Sequence, residues 1–338
     1  MLFHIPRLAK NQGLPYFMDW PIFNRGIDAV YVFFVLSGFL IIGQIVDYKR
    51  ENKFSIKRFY IRRALRILPL YYLIVIFGFI FYNVIVPFLG FDFAIQYNFL
   101  EGFLLTVFFL PNIFASLFDP GGILEILWSI GIEEQFYLLI APSLYFIKNK
   151  RVLYFLCGIL IAYFLFFHAN ITEYPIQFGM VYFFLFAGGI VGVLERKNKL
   201  QFLKKSSIIP YSIIVIFILY FFTDLFSFQV LWQKNLFLCI VFSLLVHSLA
   251  HNNGKLDIQN RLLNYFGKIS YGIYMYHVII LNFVVFIYLK FLPYQSLPNW
   301  ANIVLMNVLV TSITILVSHI SYKYFENYFL KLKYKFRK

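Results

Sequence analysis

Two adjacent carboxylates, Glu133 and Glu134, sit inside the run Leu127-Trp128-Ser129-Ile130-Gly131-Ile132-Glu133-Glu134-Gln135-Phe136-Tyr137-Leu138-Leu139, a segment apolar enough to be a membrane span. Only 13% of the 338 residues are charged, so a pair of acids here calls for a cause. A carboxylate costs several kcal/mol in hydrocarbon unless it is paired, protonated or facing water. A second group is basic: between Phe54 and Pro69, Arg58, Arg62 and Arg66 recur at i, i+4 and i+8, with Arg63 beside them. A helix would present them on one face. Contacts with lipid phosphates at a cytoplasmic boundary explain such a cluster, and composition alone favours that reading. The sharper reading is a phosphate clamp, because planar, permanently charged guanidinium groups bind phosphate bidentately. His4 and His277 are the candidate proton handlers, since imidazole has the unperturbed pKa nearest neutrality. The plainer role of a lone membrane histidine is an interhelical hydrogen bond. His168, His247, His251 and His319 have no motif around them and read as structural or interfacial. No metal-ligand spacing is present.

The elements that must position these groups are apolar helices. At 61% hydrophobic and 22% aromatic, with a mean hydropathy of +0.76, too little polar surface remains to cover a soluble globule. The expected fold is all-α, a polytopic transmembrane helical bundle forming a single domain over 1–338. The net charge of +15 does not point to nucleic acid, because the cations gather in short breaks between apolar runs. Cys157 and Cys239 lie within apolar runs and read as structural thiols.

A span needs about 20 apolar residues. The runs 26–47, 67–88, 128–147, 152–168, 179–194, 207–223, 230–250, 269–291 and 301–322 qualify, and a shorter stretch, 97–114, precedes the glutamates. Basic breaks at 48–66, 148–151, 195–205 and 251–268, with Lys255 in the last, and the tail 331–338 are expected on the cytoplasmic side. This topology makes 97–114 an external or re-entrant element. It places the C-terminus in the cytoplasm and the chain in the inner, or plasma, membrane. Residues 5–24, with Pro6, Pro15, Pro21, Gly13, Asn11 and Asn24, read as an outer loop.

Five segments, in order, resemble the integral-membrane acyltransferase 3 family, whose members acylate cell-envelope sugars. Phe3-His4 is similar to the end of the family's first motif, and Val32-Phe33-Phe34-Val35-Leu36-Ser37-Gly38-Phe39-Leu40 to its second-helix signature. Arg62-Arg63-Ala64-Leu65-Arg66-Ile67-Leu68-Pro69-Leu70-Tyr71-Tyr72 resembles its arginine motif. Trp128-Ser129-Ile130-Gly131-Ile132-Glu133-Glu134-Gln135-Phe136-Tyr137 resembles its tryptophan–serine–glutamate motif, and Ile269-Ser270-Tyr271-Gly272-Ile273-Tyr274-Met275-Tyr276-His277 its late serine–tyrosine/histidine motif. Family members carry a further helix, with an arginine about ten residues before the first histidine. By that standard about nine of ten expected spans are present and the first helix is missing. Tyr31 stands where many members have an acid.

The resemblance implies an acyl-CoA co-substrate, acetyl-CoA being the commonest case, whose phosphates meet Arg58, Arg62, Arg63 and Arg66. It implies a carbohydrate hydroxyl as acceptor, in the setting of a lipid bilayer. A hydroxyl is a poor nucleophile until a base removes its proton. The resemblance assigns that task to His4, as base or as covalent acyl carrier. Glu133 would orient and balance the imidazole. His277, Ser37, Trp128, Ser129, Glu134 and Tyr271 are expected around the substrates, and Glu326 is expected to anchor the last helix on the cytoplasmic side. Two other classes compete: a transporter of a lipid-linked sugar or small anion, for which intramembrane charges also fit, and an inactive truncated paralogue. Oligomeric state is open.

Overall fold

All nine apolar runs are helical in the computed structural model, which describes residues 1–91, 93–169, 171–205, 208–250 and 260–335. His251, Lys255 and positions 336–338 of the basic tail lie outside the described residues. Among the described residues there is no strand. In chain order the main helices are α1 (His4–Asn11), α2 (Gly26–Arg50), α3 (Ile56–Ile80), α4 (Phe99–Val107), α5 (Pro111–Phe118) and α6 (Trp128–Phe146). They continue as α7 (Val152–His168), α8 (Tyr182–Arg196), α9 (Ile208–Phe222), α10 (Leu231–Ala250), α11 (Arg261–Phe291), α12 (Asn299–Ser321) and α13 (Asn327–Tyr334).

Among the described residues, five helical stretches are long and apolar enough to cross a bilayer: Gly26–Arg50, Ile56–Phe88, Leu231–Ala250, Arg261–Phe291 and Asn299–Lys333. Two more, α7 and α9, are apolar but shorter. Large apolar side chains such as Phe33, Leu36 and Leu40 on α2 are exposed, as lipid contact requires. This is a membrane protein.

Residues 5–11 and the starts of α3 and α11 differ from the sequence expectation, whereas 97–114, expected not to cross, is indeed too short in its helices to do so. Residues 5–11 are helical rather than loop, because Pro6 falls in the first turn of α1, where a backbone N–H has no intrahelical partner. Gly13, at φ +68°, follows the end of that helix. The 97–114 stretch is broken into α4 and α5, and neither can span. Asn98 caps α4, its side chain accepting from the Leu100 N–H at 2.9 Å. The helix stops before Phe109, which lies at φ +61°. Nine residues of helix cover roughly 14 Å, well short of the ~30 Å hydrocarbon core. Finally, α3 begins at Ile56 rather than near 67, so the whole arginine series is helical, and α11 begins at Arg261 rather than 269.

The chain divides into two compact units. The first comprises Met1–Gly26, Tyr60–Trp128 and Gln259–Lys338. Its centre is the antiparallel pair α11 and α12, onto which α1 packs through Ile5 and Ala9. Leu14 joins them against Ile280, Leu281, Val284, Val285, Met306 and Val310. Tyr71 and Tyr72 of α3 donate to the carbonyls of Thr106 (2.7 Å) and Val107 (3.2 Å), holding the end of α4.

The second unit comprises Ile27–Phe59 and Ser129–Ile258. Here α2 and α8 meet backbone to backbone. A Cβ on Gly38 would lie 1.9 Å from the Leu185 carbonyl oxygen, and one on Gly188 would lie 1.8 Å from that of Val35. Small residues permit such close approach in membranes, where packing rather than hydrophobic burial holds helices together. Arg196 Nε donates to Asp47 Oδ2 at 2.7 Å at the end of the same pair. Asn235 on α10 contacts His168 Nε2 on α7 at 3.0 Å, the interhelical role expected of that histidine.

Candidate active site

His4 is the second link in a short, tightly held segment of the first unit. The preceding residue, Phe3, is clamped from two sides. The Arg7 guanidinium lies 3.6 Å from its ring centroid. Arg7 also donates to the carbonyls of Phe3 (2.8 Å) and Phe23 (2.7 Å), and to Asn24 Oδ1 at 3.0 Å. On the other side a Cβ at Gly26 would fall 2.3 Å from the Phe3 ring, so only glycine leaves room. Phe3 in turn sets His4 edge-on at a ring separation of 5.0 Å.

The docking of α1 on α11 brings His4 to His277. Their ring centroids are 5.2 Å apart and inclined by 57°. His277 is buried, at 4% exposure, and its Nδ1 lies 2.5 Å from the Tyr274 carbonyl oxygen. Tyr274 is fixed by its own hydroxyl, which donates to the Ile126 carbonyl at 2.7 Å. Burial pushes the His4 imidazole down to about 4, and the Met1 amino group and Arg7 add to that shift. The charges acting on His4 are therefore positive, and an imidazolium formed there needs an anion to balance it.

Also in the first unit, Arg62, Arg63 and Arg66 lie along α3, and Lys333 of α13 lies within their electrostatic range. Tyr271 donates to the Ile67 carbonyl at 2.9 Å, tying α11 to the turn of α3 next to Arg66. Glu326 is buried. It accepts from Ser321 Oγ at 3.1 Å, and Ser321 accepts from Tyr276 at 3.0 Å.

In the second unit Glu133 is half-buried on α6 and accepts from the Tyr137 hydroxyl at 3.0 Å. That hydroxyl also hydrogen-bonds Ser37 of α2. Glu134 and Ser129 are buried, at 7% and 4% exposure, so the two adjacent glutamates point into different surroundings. Trp128, half-buried, opens α6, and Arg58 is exposed near the start of α3. The structure thus brings His4 to His277 within one unit and Glu133 to Ser37, through Tyr137, within the other.

Sequence reasoning passed over three residues. Tyr137 stands four positions after Glu133, one helical turn, a spacing at which side chains meet. Asp28 is buried in α2, with Lys234 Nζ at 2.8 Å and the Tyr220 hydroxyl donating at 2.7 Å. The signal for Asp28 and Lys234 was the one used for Glu133: a charge inside an apolar run. Among the described residues no three His, Cys, Asp or Glu side chains converge as a metal site would require.

Comparison with known proteins bears on this arrangement. The acyltransferase 3 family model, described as "Acyltransferase domain", matches residues 2–319. The protein named "Putative peptidoglycan O-acetyltransferase YrhL" of Bacillus subtilis (strain 168) is 26% identical over 93% of this chain and 52% of its own length. "Peptidoglycan O-acetyltransferase OatA" of Listeria monocytogenes is 30% identical over 43% of this chain and 25% of its own length. "Putative acetyltransferase ORF330" of Acidianus two-tailed virus is 24% identical over 81% of this chain and 82% of its own. The matches to the two peptidoglycan O-acetyltransferases thus span about half and a quarter of those proteins. No solved structure matches. With the family model covering nearly all of it, the chain belongs to the acyltransferase 3 family.

Proposed function

We propose that the whole chain works as one membrane acyltransferase domain. It moves an acyl group, acetyl in the simplest case, from acyl-CoA to a hydroxyl of a cell-envelope glycan. The observation that carries this reading is the seating of His4: a half-buried imidazole, clamped through Phe3 by Arg7 and Gly26, beside a second buried imidazole. The names of the peptidoglycan O-acetyltransferases point to the same acceptor class.

In this reading nine helices span the plasma membrane, the basic breaks and the C-terminus face the cytoplasm, and the arginine-bearing start of α3 meets the donor phosphates from that side. His4 takes the hydroxyl proton as the sugar oxygen attacks the thioester carbonyl. The C–S bond then breaks, and the departing thiolate takes the proton from the imidazolium. Burial, together with the positive charges beside it, makes His4 a weak base. Glu133 supplies the negative charge that offsets the imidazolium, as a buried acid does for a catalytic histidine. It accepts a hydrogen bond from Tyr137.

The test is mass spectrometry of envelope polysaccharide from cells with the gene, without it, and with His4→Ala at matched protein level. Loss of O-acetyl groups in both altered strains is the expected result. An O-acetyl pattern unchanged by deletion removes the acyltransferase reading, and one unchanged by His4→Ala removes the role of His4.

A further inference from the structure

We propose that His277 is a positioning residue that fixes the tautomer of His4, an inference that rests on the base role assigned to His4 above. The argument starts from one contact. His277 Nδ1 lies 2.5 Å from the Tyr274 carbonyl oxygen, and a carbonyl can only accept. The hydrogen of the neutral ring therefore sits on Nδ1, and Nε2 presents a bare lone pair. The carbonyl does not wander, because Tyr274 is tied by its hydroxyl to Ile126. At 4% exposure, His277 has little water to satisfy that lone pair.

The neighbouring ring is His4, 5.2 Å away and inclined by 57°. At that separation a turn of the His4 ring brings one of its N–H groups to His277 Nε2, a hydrogen bond that the two rings do not make in this structure. The other His4 nitrogen is then the bare acceptor, held ready for the sugar hydroxyl. A histidine free to exchange tautomers would present the wrong nitrogen part of the time and swing out of line with the hydroxyl. His277 thereby does the orienting part of the work that an acid performs in a serine-protease triad.

The experiment uses full-length protein in cells, with alkali-released acetate from the envelope as readout and membrane levels matched. His277→Leu removes the acceptor and is expected to lower O-acetylation about 100-fold or more, the scale of a lost base. His277→Gln offers an amide oxygen near the Nε2 position and is expected to recover roughly ten-fold of that loss. External imidazole is expected to restore activity to His277→Gly, which a merely structural role would not allow. His277→Leu within about two-fold of wild type overturns the inference, as does a Gln variant no better than Leu together with no imidazole rescue. If wild type itself adds no acetyl groups, or if His4→Ala is fully active, the underlying reading falls and this inference with it. An inactive His4→Ala beside an active His277→Leu removes the inference alone.

Discussion

Tyr137 stands one helical turn after Glu133 and donates its phenolic hydrogen to Glu133 Oε2 at 3.0 Å, while the same oxygen meets Ser37 Oγ. The phenol has one hydrogen, so Ser37 must be the donor in its contact. The result is a directed chain, from Ser37 to Tyr137 to Glu133, that ends on a carboxylate. It bears on the question posed by an acid in an apolar run: Glu133 accepts from a hydroxyl of its own helix, which in turn meets a hydroxyl of α2.

Tyr137→Phe removes the donor and leaves the ring. A hydrogen bond to a charged group contributes about 1.5–3 kcal/mol, so O-acetylation is expected to fall about 10- to 100-fold at unchanged membrane level. Ser37→Ala acts one step further from the carboxylate and is expected to cost less. Equal rates for Tyr137→Phe and wild type, measured as acetate released from the envelope, would show that Glu133 depends on other contacts.

The crossing of α2 and α8 makes a stability prediction. A methyl group on Gly188 would press on the Val35 carbonyl oxygen at 1.8 Å, so the helices must part. Overpacking of this kind costs about 1–3 kcal/mol. Gly188→Ala is expected to lower the melting temperature of the detergent-purified protein. Gly158→Ala on α7, where a Cβ meets nothing within 4 Å, is the control and is expected to be neutral or slightly stabilising. Equal melting temperatures for the two variants would remove the claim that glycine sets this crossing.

Much of this was legible because hydrocarbon imposes simple rules. Runs near 20 apolar residues had to be helices, and every one is. The arginine spacing at 58, 62 and 66 was meaningful because α3 does begin at Ile56. The helix His4–Asn11 was hidden by its proline and cations, since its stability comes from Ile5 and Ala9 packing on distant helices rather than from local propensity. The neighbour of His4 was out of reach for a similar reason: His277 lies far along the chain, and only the docking of α1 on α11 brings the rings together. Glu133 and Tyr137 share a turn and were readable by spacing, whereas Ser37, on another helix, was not.

Glu195 and His247 form a second buried polar pair, joining the ends of α8 and α10 at 3.1 Å with side chains 2% and 4% exposed. The mechanism makes no use of it, so its effect is expected on stability. Removing one partner of a buried pair costs about 3 kcal/mol. Glu195→Ala is expected to lower the melting temperature, and Glu195→Gln, which retains a polar partner, to lower it less. In protein that remains folded, O-acetylation per molecule should be unchanged in both. A selective loss of activity without loss of stability would place this pair in the reaction.

The pH dependence of the reaction tests whether Glu133 acts on His4. A base works only when unprotonated, so activity is lost as pH falls through the pKa of His4. Burial and the positive charges of its own unit place that pKa at about 4. A carboxylate that balances the imidazolium stabilises the protonated form and raises the pKa. In sealed membrane vesicles the acidic limb of wild type is therefore expected above pH 4. In Glu133→Gln the negative charge is gone and the imidazolium loses its support. The residual activity of that variant should persist to lower pH, with its limb moved down toward 4. Identical limbs in the two proteins would mean that Glu133 does not act on His4, whatever the loss in rate.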